Sequence, residues 1–279
     1  MEKTFNFKKS SEFSFNVRKK ILEMSFNAGS ASAHIGGALS SSDIISVIFS
    51  DFLKYDKNKT TWKERDRFIL SKGHACLAYY AALNQIGFLS NDDLISFEKD
   101  NSDLAGHPVK NLGKGIEFST GSLGMGLSIA VGLGIAYKRK EMENKVFVIM
   151  GDGECNEGSN WEALMTASHF KLDNLVVFVD KNNFQQTGNC GDILNLNNLS
   201  EKLKSFNCFS REIDGHNHSE IFQAIDNNLN SNGPNVIVAN TTKGKGVNFF
   251  ENKNEWHHSV LTKKAYEEAL QSLNENYGN

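Results

Sequence analysis

Lys145-Val146-Phe147-Val148-Ile149-Met150-Gly151-Asp152-Gly153-Glu154-Cys155-Asn156-Glu157-Gly158 passes from an unbroken apolar run straight into a carboxylate flanked by glycines. An apolar run rich in β-branched and aromatic residues, with no polar alternation, reads as a strand covered on both faces, the usual condition of a parallel sheet. Gly151 and Gly153 set Asp152 on a tight turn whose backbone amides a phosphate can approach, because glycine has no side chain in the way. A helix is expected just beyond, its amino terminus favouring an anion at the same place.

Outward from this segment the same kind of run recurs. Arg67-Phe68-Ile69-Leu70 precedes it, and Asn174-Leu175-Val176-Val177-Phe178-Val179 and Asn235-Val236-Ile237-Val238-Ala239 follow. Helical spacing lies between and before them. Val17, Ile21, Leu22 and Met24 suit an early helix; Ile44, Ile45, Ile48 and Phe49 suit a second starting near Ser42 or Asp43; residues 161–170 suit a crossover helix. Strand and helix in alternation predict an α/β fold, a parallel sheet with helices on both faces and right-handed crossovers. No repeat, low-complexity tract or linker interrupts the chain, so residues 1–279 are expected to form a single domain.

Ligands of such sheets sit beyond the carboxyl ends of the strands. Polar segments stand at each of those ends: Ser71-Lys72-Gly73-His74, the turn around Asp152, Asp180-Lys181-Asn182-Asn183-Phe184, and Asn240-Thr241-Thr242-Lys243-Gly244-Lys245-Gly246. Asn182 follows Asp152 by thirty residues (182 − 152), one crossover unit, so adjacent strands bring the two side chains together. A carboxylate and an amide oxygen, with a backbone carbonyl and a diphosphate, suffice for magnesium, which takes oxygen ligands and few of them from protein.

Composition excludes other classes. Hydrophobic residues at 39%, charged residues at 23% and a net charge of −3 are ordinary for a globular chain and offer no basic face to nucleic acid. No segment has the form of a signal peptide or the length of a membrane span. Cys76, Cys155, Cys190 and Cys208 make no C-x-x-C pair or metal spacing, which suits reduced thiols and a cytoplasmic protein.

The segment from Gly151 to Asn182 resembles the thiamine diphosphate motif, a Gly-Asp-Gly closed about thirty residues later by an asparagine pair. The surrounding motifs resemble the transketolase family in particular. They are Ser32-Ala33-His34-Ile35-Gly36-Gly37, Asp66 to Ala75 with His74, Gly106-His107-Pro108, the glycine-rich Ser119 to Gly126, and Glu255-Trp256-His257, in family order. The resemblance runs from about Phe15 to about Trp256, nearly the whole chain.

The resemblance implies the thiamine diphosphate-binding (pyrophosphate) fold, with thiamine diphosphate and Mg2+, or Ca2+ or Mn2+ in its place, as cofactors. Asp152, the Asn182 side chain and the Phe184 carbonyl then hold the metal, with Gly153 against the diphosphate. His74, His257 and the Gly121-Ser122-Leu123 segment are further cofactor contacts. His34, His74, His107 and His257 are the candidate catalytic set, able to hydrogen-bond ketose hydroxyls and move protons near pH 7. Glu157 matches a glutamate that joins the two cofactor sites of a dimer and is counted with the candidate catalytic residues. The reaction implied is ketol transfer from a ketose phosphate to an aldose.

A full transketolase continues into pyrimidine-binding and carboxyl-terminal domains, and this sequence stops at Asn279. A carboxyl-terminal partner subunit carrying the pyrimidine-binding domain is therefore expected, in a heterotetramer of two of each, with the chain inactive alone. Ile35 and Ser122 replace frequent family prolines, and Thr187 stands where aspartate is common, which suggests a branch with unusual substrates. His169, His216 and His218 match no family role and are expected to be structural or exposed. A chain of the keto acid dehydrogenase or deoxyxylulose phosphate synthase type shares Asp152 and Asn182 but not the four histidines. A non-catalytic cofactor-binding module has no need of those histidines.

Overall fold

A computed structural model describes residues 5–227 and 232–278. Five strands, β1 (Arg67–Leu70), β2 (Val146–Gly151), β3 (Leu175–Lys181), β4 (Phe209–Asp214) and β5 (Asn235–Asn240), form one wholly parallel sheet of order β1-β2-β3-β5-β4. Around it lie α1 (Phe7–Asn27), α2 (Ile35–Ser40), α3 (Ser42–Val47), α4 (Cys76–Gln85), α5 (Asn91–Ile95), α6 (Met125–Arg139), α7 (Gly158–His169), α8 (Cys190–Ile193), α9 (Leu199–Ser205), α10 (His218–Asp226) and α11 (Lys263–Tyr277).

The continuous apolar runs resolve into a strict alternation between two cores. Phe147, Ile149, Val176, Phe178 and Ile237 face the larger core, built with α1 to α4, α10 and α11. Val146, Val148, Val177, Val179 and Val238 face the smaller one, built with α6, α7 and α9. Because side chains alternate across a strand, burial on both faces demands an apolar residue at every position.

The α/β expectation therefore holds, although the structure adds elements not named from the sequence. β4 goes beyond the four strands expected: Phe209-Ser210-Arg211-Glu212-Ile213-Asp214 is an edge strand with Ile213 its one buried residue, so it carries no apolar run. The helix from Ser42 also closes on a π-helical turn, Ile48–Phe52. No helix among the described residues is long and apolar enough to cross a membrane.

Candidate functional site

The registers put the motif residues side by side. Gly151 on β2 pairs with Asp180 on β3, so the turn after β2 abuts the segment after β3. The Asp152 carboxylate accepts the Gly153 amide at 2.9 Å and the Asn183 amide at 2.7 Å. Asn182 accepts the Phe184 amide at 3.0 Å through Oδ1 and donates to Ser40 Oγ at 3.3 Å through Nδ2. A short 3-10 turn, Gly153–Asn156, separates Asp152 from α7, so the helix does not follow the glycine turn directly but begins at Gly158, three residues before the stretch 161–170 read as a crossover helix. Burial, and then the nearby Asp180, raise the Asp152 carboxyl to about 6. A buried acid held by neutral amides in this way is the kind of group that an added cation stabilises most.

Two buried ionic groups hold these segments in place. Asp180, with no solvent exposure, pairs with Lys72 after β1, accepts Ser40 Oγ of α2 at 2.6 Å and accepts the Thr241 hydroxyl after β5. One carboxylate thus ties together three strand ends and a helix. Glu154 does the same for the glycine turns: Oε1 accepts the Gly124 amide at 2.9 Å and the Ser71 hydroxyl, and Oε2 accepts the Gly151 amide at 3.1 Å.

Above them the four histidines converge. Ring centroids of His34 lie 5.5 Å from His74, 5.7 Å from His107 and 5.5 Å from His257, and His74 lies 5.6 Å from His257. Burial, then the neighbouring imidazoles, lower His34 to about 3. Burial and Lys72 hold His74 well below the ordinary imidazole range, and burial and Lys243 lower His257 to about 4. These three rings are neutral near pH 7 and act as hydrogen-bonding groups rather than cations.

Lys243, after β5, is buried too. Its ammonium bonds Asn254 Oδ1 at 3.0 Å and His257 Nδ1 at 2.9 Å, which leaves the His257 proton on Nε2. Burial, then Lys72, lower it to about 8.

A cavity of about 360 Å³ gathers His34, His74, His107 and His257 with Asp152, Gly153, Asn182 and Phe184, and Gly121, Leu123 and Glu157 stand on its wall. Ser122 is exposed and lies outside that lining. His258 bonds Ser32 Oγ at 3.0 Å and also lies outside it, so His257 is the carboxyl-terminal histidine of the cavity. His169 stacks edge-on against Phe170, while His216 and His218 bond Asp43 behind the sheet ends. His218 is the first residue of α10 and is buried.

The lining suits a diphosphate and a hard cation. No group of three His, Cys, Asp or Glu side chains among the described residues could hold a metal, so a cation here depends on Asp152, amide and carbonyl oxygens and the ligand's phosphates. Asn156 Oδ1 and Gln185 Nε2, on residues lining the cavity, are buried without hydrogen-bond partners. A Cβ at Gly153 would lie 2.7 Å from Gln185 Cγ, so only glycine leaves this wall its shape.

Lys72, Glu154, Asp180 and Lys243 carry no role in the sequence reading, although each lies in a strand-end segment quoted there. A lysine or carboxylate buried among partners from distant segments is indistinguishable in sequence from one on the surface. Their shared address after a strand is the one available signal.

The family model for the thiamine diphosphate binding domain of transketolase matches residues 16–278. An apulose-4-phosphate transketolase subunit from Actinobacillus succinogenes is 39% identical over 257 residues, 92% of this chain and 93% of that protein. The 6-deoxy-6-sulfo-D-fructose transketolase subunit SqwG of Clostridium sp. is 37% identical over 92% of this chain and 93% of that protein. The transketolase structure from Campylobacter jejuni superposes with a TM-score of 0.90 at 31% identity, covering 98% of this chain. This chain spans 43% of that longer one.

Proposed function

Because this chain belongs to the transketolase family, through its thiamine diphosphate binding domain, we propose that it is the amino-terminal subunit of a two-component transketolase. It moves a two-carbon ketol unit from a ketose to an aldose acceptor, with Mg2+ beside the cofactor. The observation that carries the reading is the meeting of His34, His74, His107 and His257 with Asp152 and Asn182 in one cavity.

When bound, thiamine diphosphate supplies the electron sink for cleaving the bond beside a ketose carbonyl. The chain's own part is to bind and orient. Asp152, the Asn182 amide oxygen and the Phe184 carbonyl hold the cation, and Gly153 offers its turn to the diphosphate. Lys243 adds positive charge to the same wall. The neutral imidazoles of His34, His74 and His257, with His107, donate to and accept from sugar hydroxyls and the carbonyl oxygen.

Glu157 is exposed on the rim, a position suited to meeting a second polypeptide. Three relatives of matching length are named as subunits, which supports a partner; we take that partner to carry the pyrimidine-binding domain, in a heterotetramer of two of each. Their names also specify sugars ending in phosphate or sulfonate, so an anionic sugar is the substrate class proposed. The four cysteines are free thiols, which fits a cytoplasmic setting.

The test is reconstitution. The chain with its carboxyl-terminal partner, thiamine diphosphate and Mg2+ is expected to transfer two carbons between xylulose 5-phosphate and ribose 5-phosphate, or between analogous anionic sugars. The chain alone is expected to give no turnover. Turnover without the partner, or decarboxylation of a 2-oxo acid in place of transfer, overturns the proposal.

A further inference from the structure

The turn between β4 and α10 reaches the site from behind. The Gly215 amide donates to the Asn240 carbonyl at 2.8 Å, and a Cβ on Gly215 would lie 2.4 Å from Thr241 Cγ2, so the turn packs directly on the end of β5. The next residue, His216, is bonded through both ring nitrogens. The Thr242 amide donates to Nε2 at 2.8 Å, and Nδ1 lies 2.8 Å from Asp43 Oδ2. A backbone N–H can only donate, so Nε2 is the acceptor and the ring proton sits on Nδ1, donated to Asp43.

Asp43 cannot move to suit its neighbours. Arg18 grips it with both terminal nitrogens, at 2.9 Å and 2.6 Å, and His218 Nε2 lies 2.9 Å from Oδ1. At the other end of the relay, Thr242 stands between two residues of the site. Thr241 bonds Asp180, and Lys243 bonds His257. The ladder pairing of β5 ends at Asn240, so at Thr242 the backbone no longer has a neighbouring strand to hold it.

We propose that His216 is a positioning residue for the cofactor cavity: its neutral imidazole carries the fixed position of Asp43 to the Thr242 backbone, and so sets Lys243 and His257. The inference rests on reading the cavity as a thiamine diphosphate site. It goes further by giving the buried charge cluster around Asp43 a part in that site.

Two substitutions separate the two bonds of the ring. In His216→Asn the side-chain amide occupies the Nδ1 position, keeps the bond to Asp43 and cannot reach Thr242. In His216→Gln the amide oxygen reaches the Nε2 position and accepts from Thr242, leaving Asp43 one donor short. Calorimetry of the chain assembled with its carboxyl-terminal partner measures affinity for thiamine diphosphate with Mg2+, and melting of the cofactor-free chain measures the scaffold.

His216→Asn is expected to bind about tenfold more weakly, with a melting temperature lowered no more than in His216→Gln, because the lost Thr242 bond sets the cavity wall. His216→Gln is expected to bind within about twofold of wild type and to melt lower. Unchanged affinity in His216→Asn overturns the inference, as does an affinity loss in both variants that merely follows their melting temperatures. If the wild-type chain assembled with its carboxyl-terminal partner fails to bind thiamine diphosphate with Mg2+, the reading of the cavity itself has failed, and the inference with it.

Discussion

Asp43 and Asp152 are both buried carboxylates, 2% and 6% exposed, and the protein treats them in opposite ways. Around Asp43 every need is met: a bidentate arginine, two imidazoles and the Ser14 hydroxyl point at it. Burial alone would raise this carboxyl, but Arg18 and the bonds from His216 and His218 outweigh burial and hold it well below 3.8. Around Asp152 two backbone amides donate, a second carboxylate stands nearby, and the group rises to about 6. A saturated buried charge belongs to the scaffold, whereas an unsaturated one marks a place where a ligand supplies what the fold withholds.

Breaking the saturated cluster has the largest expected effect. Asp43→Ala leaves the Arg18 guanidinium buried without this counter-charge, and urea unfolding is expected to show a loss of about 3–5 kcal/mol. A loss below about 1 kcal/mol would mean that the cluster is no more than a surface ion pair in energy.

The unsaturated site is expected to respond in the opposite sense. Replacing Asp152 and Asn182 together by alanine is expected to weaken thiamine diphosphate binding by the chain and its partner at least about a hundredfold by calorimetry, while lowering the melting temperature of the cofactor-free chain less than Asp43→Ala does. The comparison sharpens with Asp152→Asn, which removes a charge that the fold disfavours at neutral pH. The cofactor-free variant is expected to melt higher than wild type, because sites kept ready for a ligand cost stability. A lower melting temperature would place Asp152 with Asp43 in the scaffold.

The smallest effect is in the pH profile. His34 and His257 lie at about 3 and about 4, below the ordinary 6.5. Below pH 6.5 the unfolded chain therefore takes up protons that the folded chain refuses. Their contribution is complete above about 6.5 and is lost as pH falls toward about 4 and then about 3. Asp43, depressed from 3.8, keeps its contribution above that value and loses it only as pH falls through its lower folded value. Melting temperature is thus expected to begin falling near pH 6.5, and His34→Asn is expected to flatten the decline between about 6.5 and 4. An unchanged slope in that variant would remove His34 from the account.

Legibility in the sequence follows the same division. The four apolar strands, the polar edge, Asp152 and Asn182 can be read from the chain, because each leaves a mark within a few residues of itself; the four histidines stand out only through the resemblance of their neighbourhoods to family motifs. β4 leaves none: an edge strand needs little apolar sequence, and its membership depends on β5 returning between it and β3. His216 shows the gap most clearly, since nothing in Asp214-Gly215-His216-Asn217 tells that its ring joins Asp43 to Thr242.

From the chain of amino acids alone come the doubly covered parallel strands and the glycine-flanked carboxylate, consequences of local hydrophobicity and turn geometry, while the chemistry expected of the site came from the resemblance of its motifs to a family. Tertiary structure alone decided the strand order and which charges found partners: Lys72 meets Asp180 across 108 positions of sequence, and Asp43 meets His216 across 173. The reason is physical. A side chain's solvation and conformational preferences are set by its own atoms and near neighbours, whereas the neutralisation of a buried charge depends on groups that only folding brings within hydrogen-bonding distance.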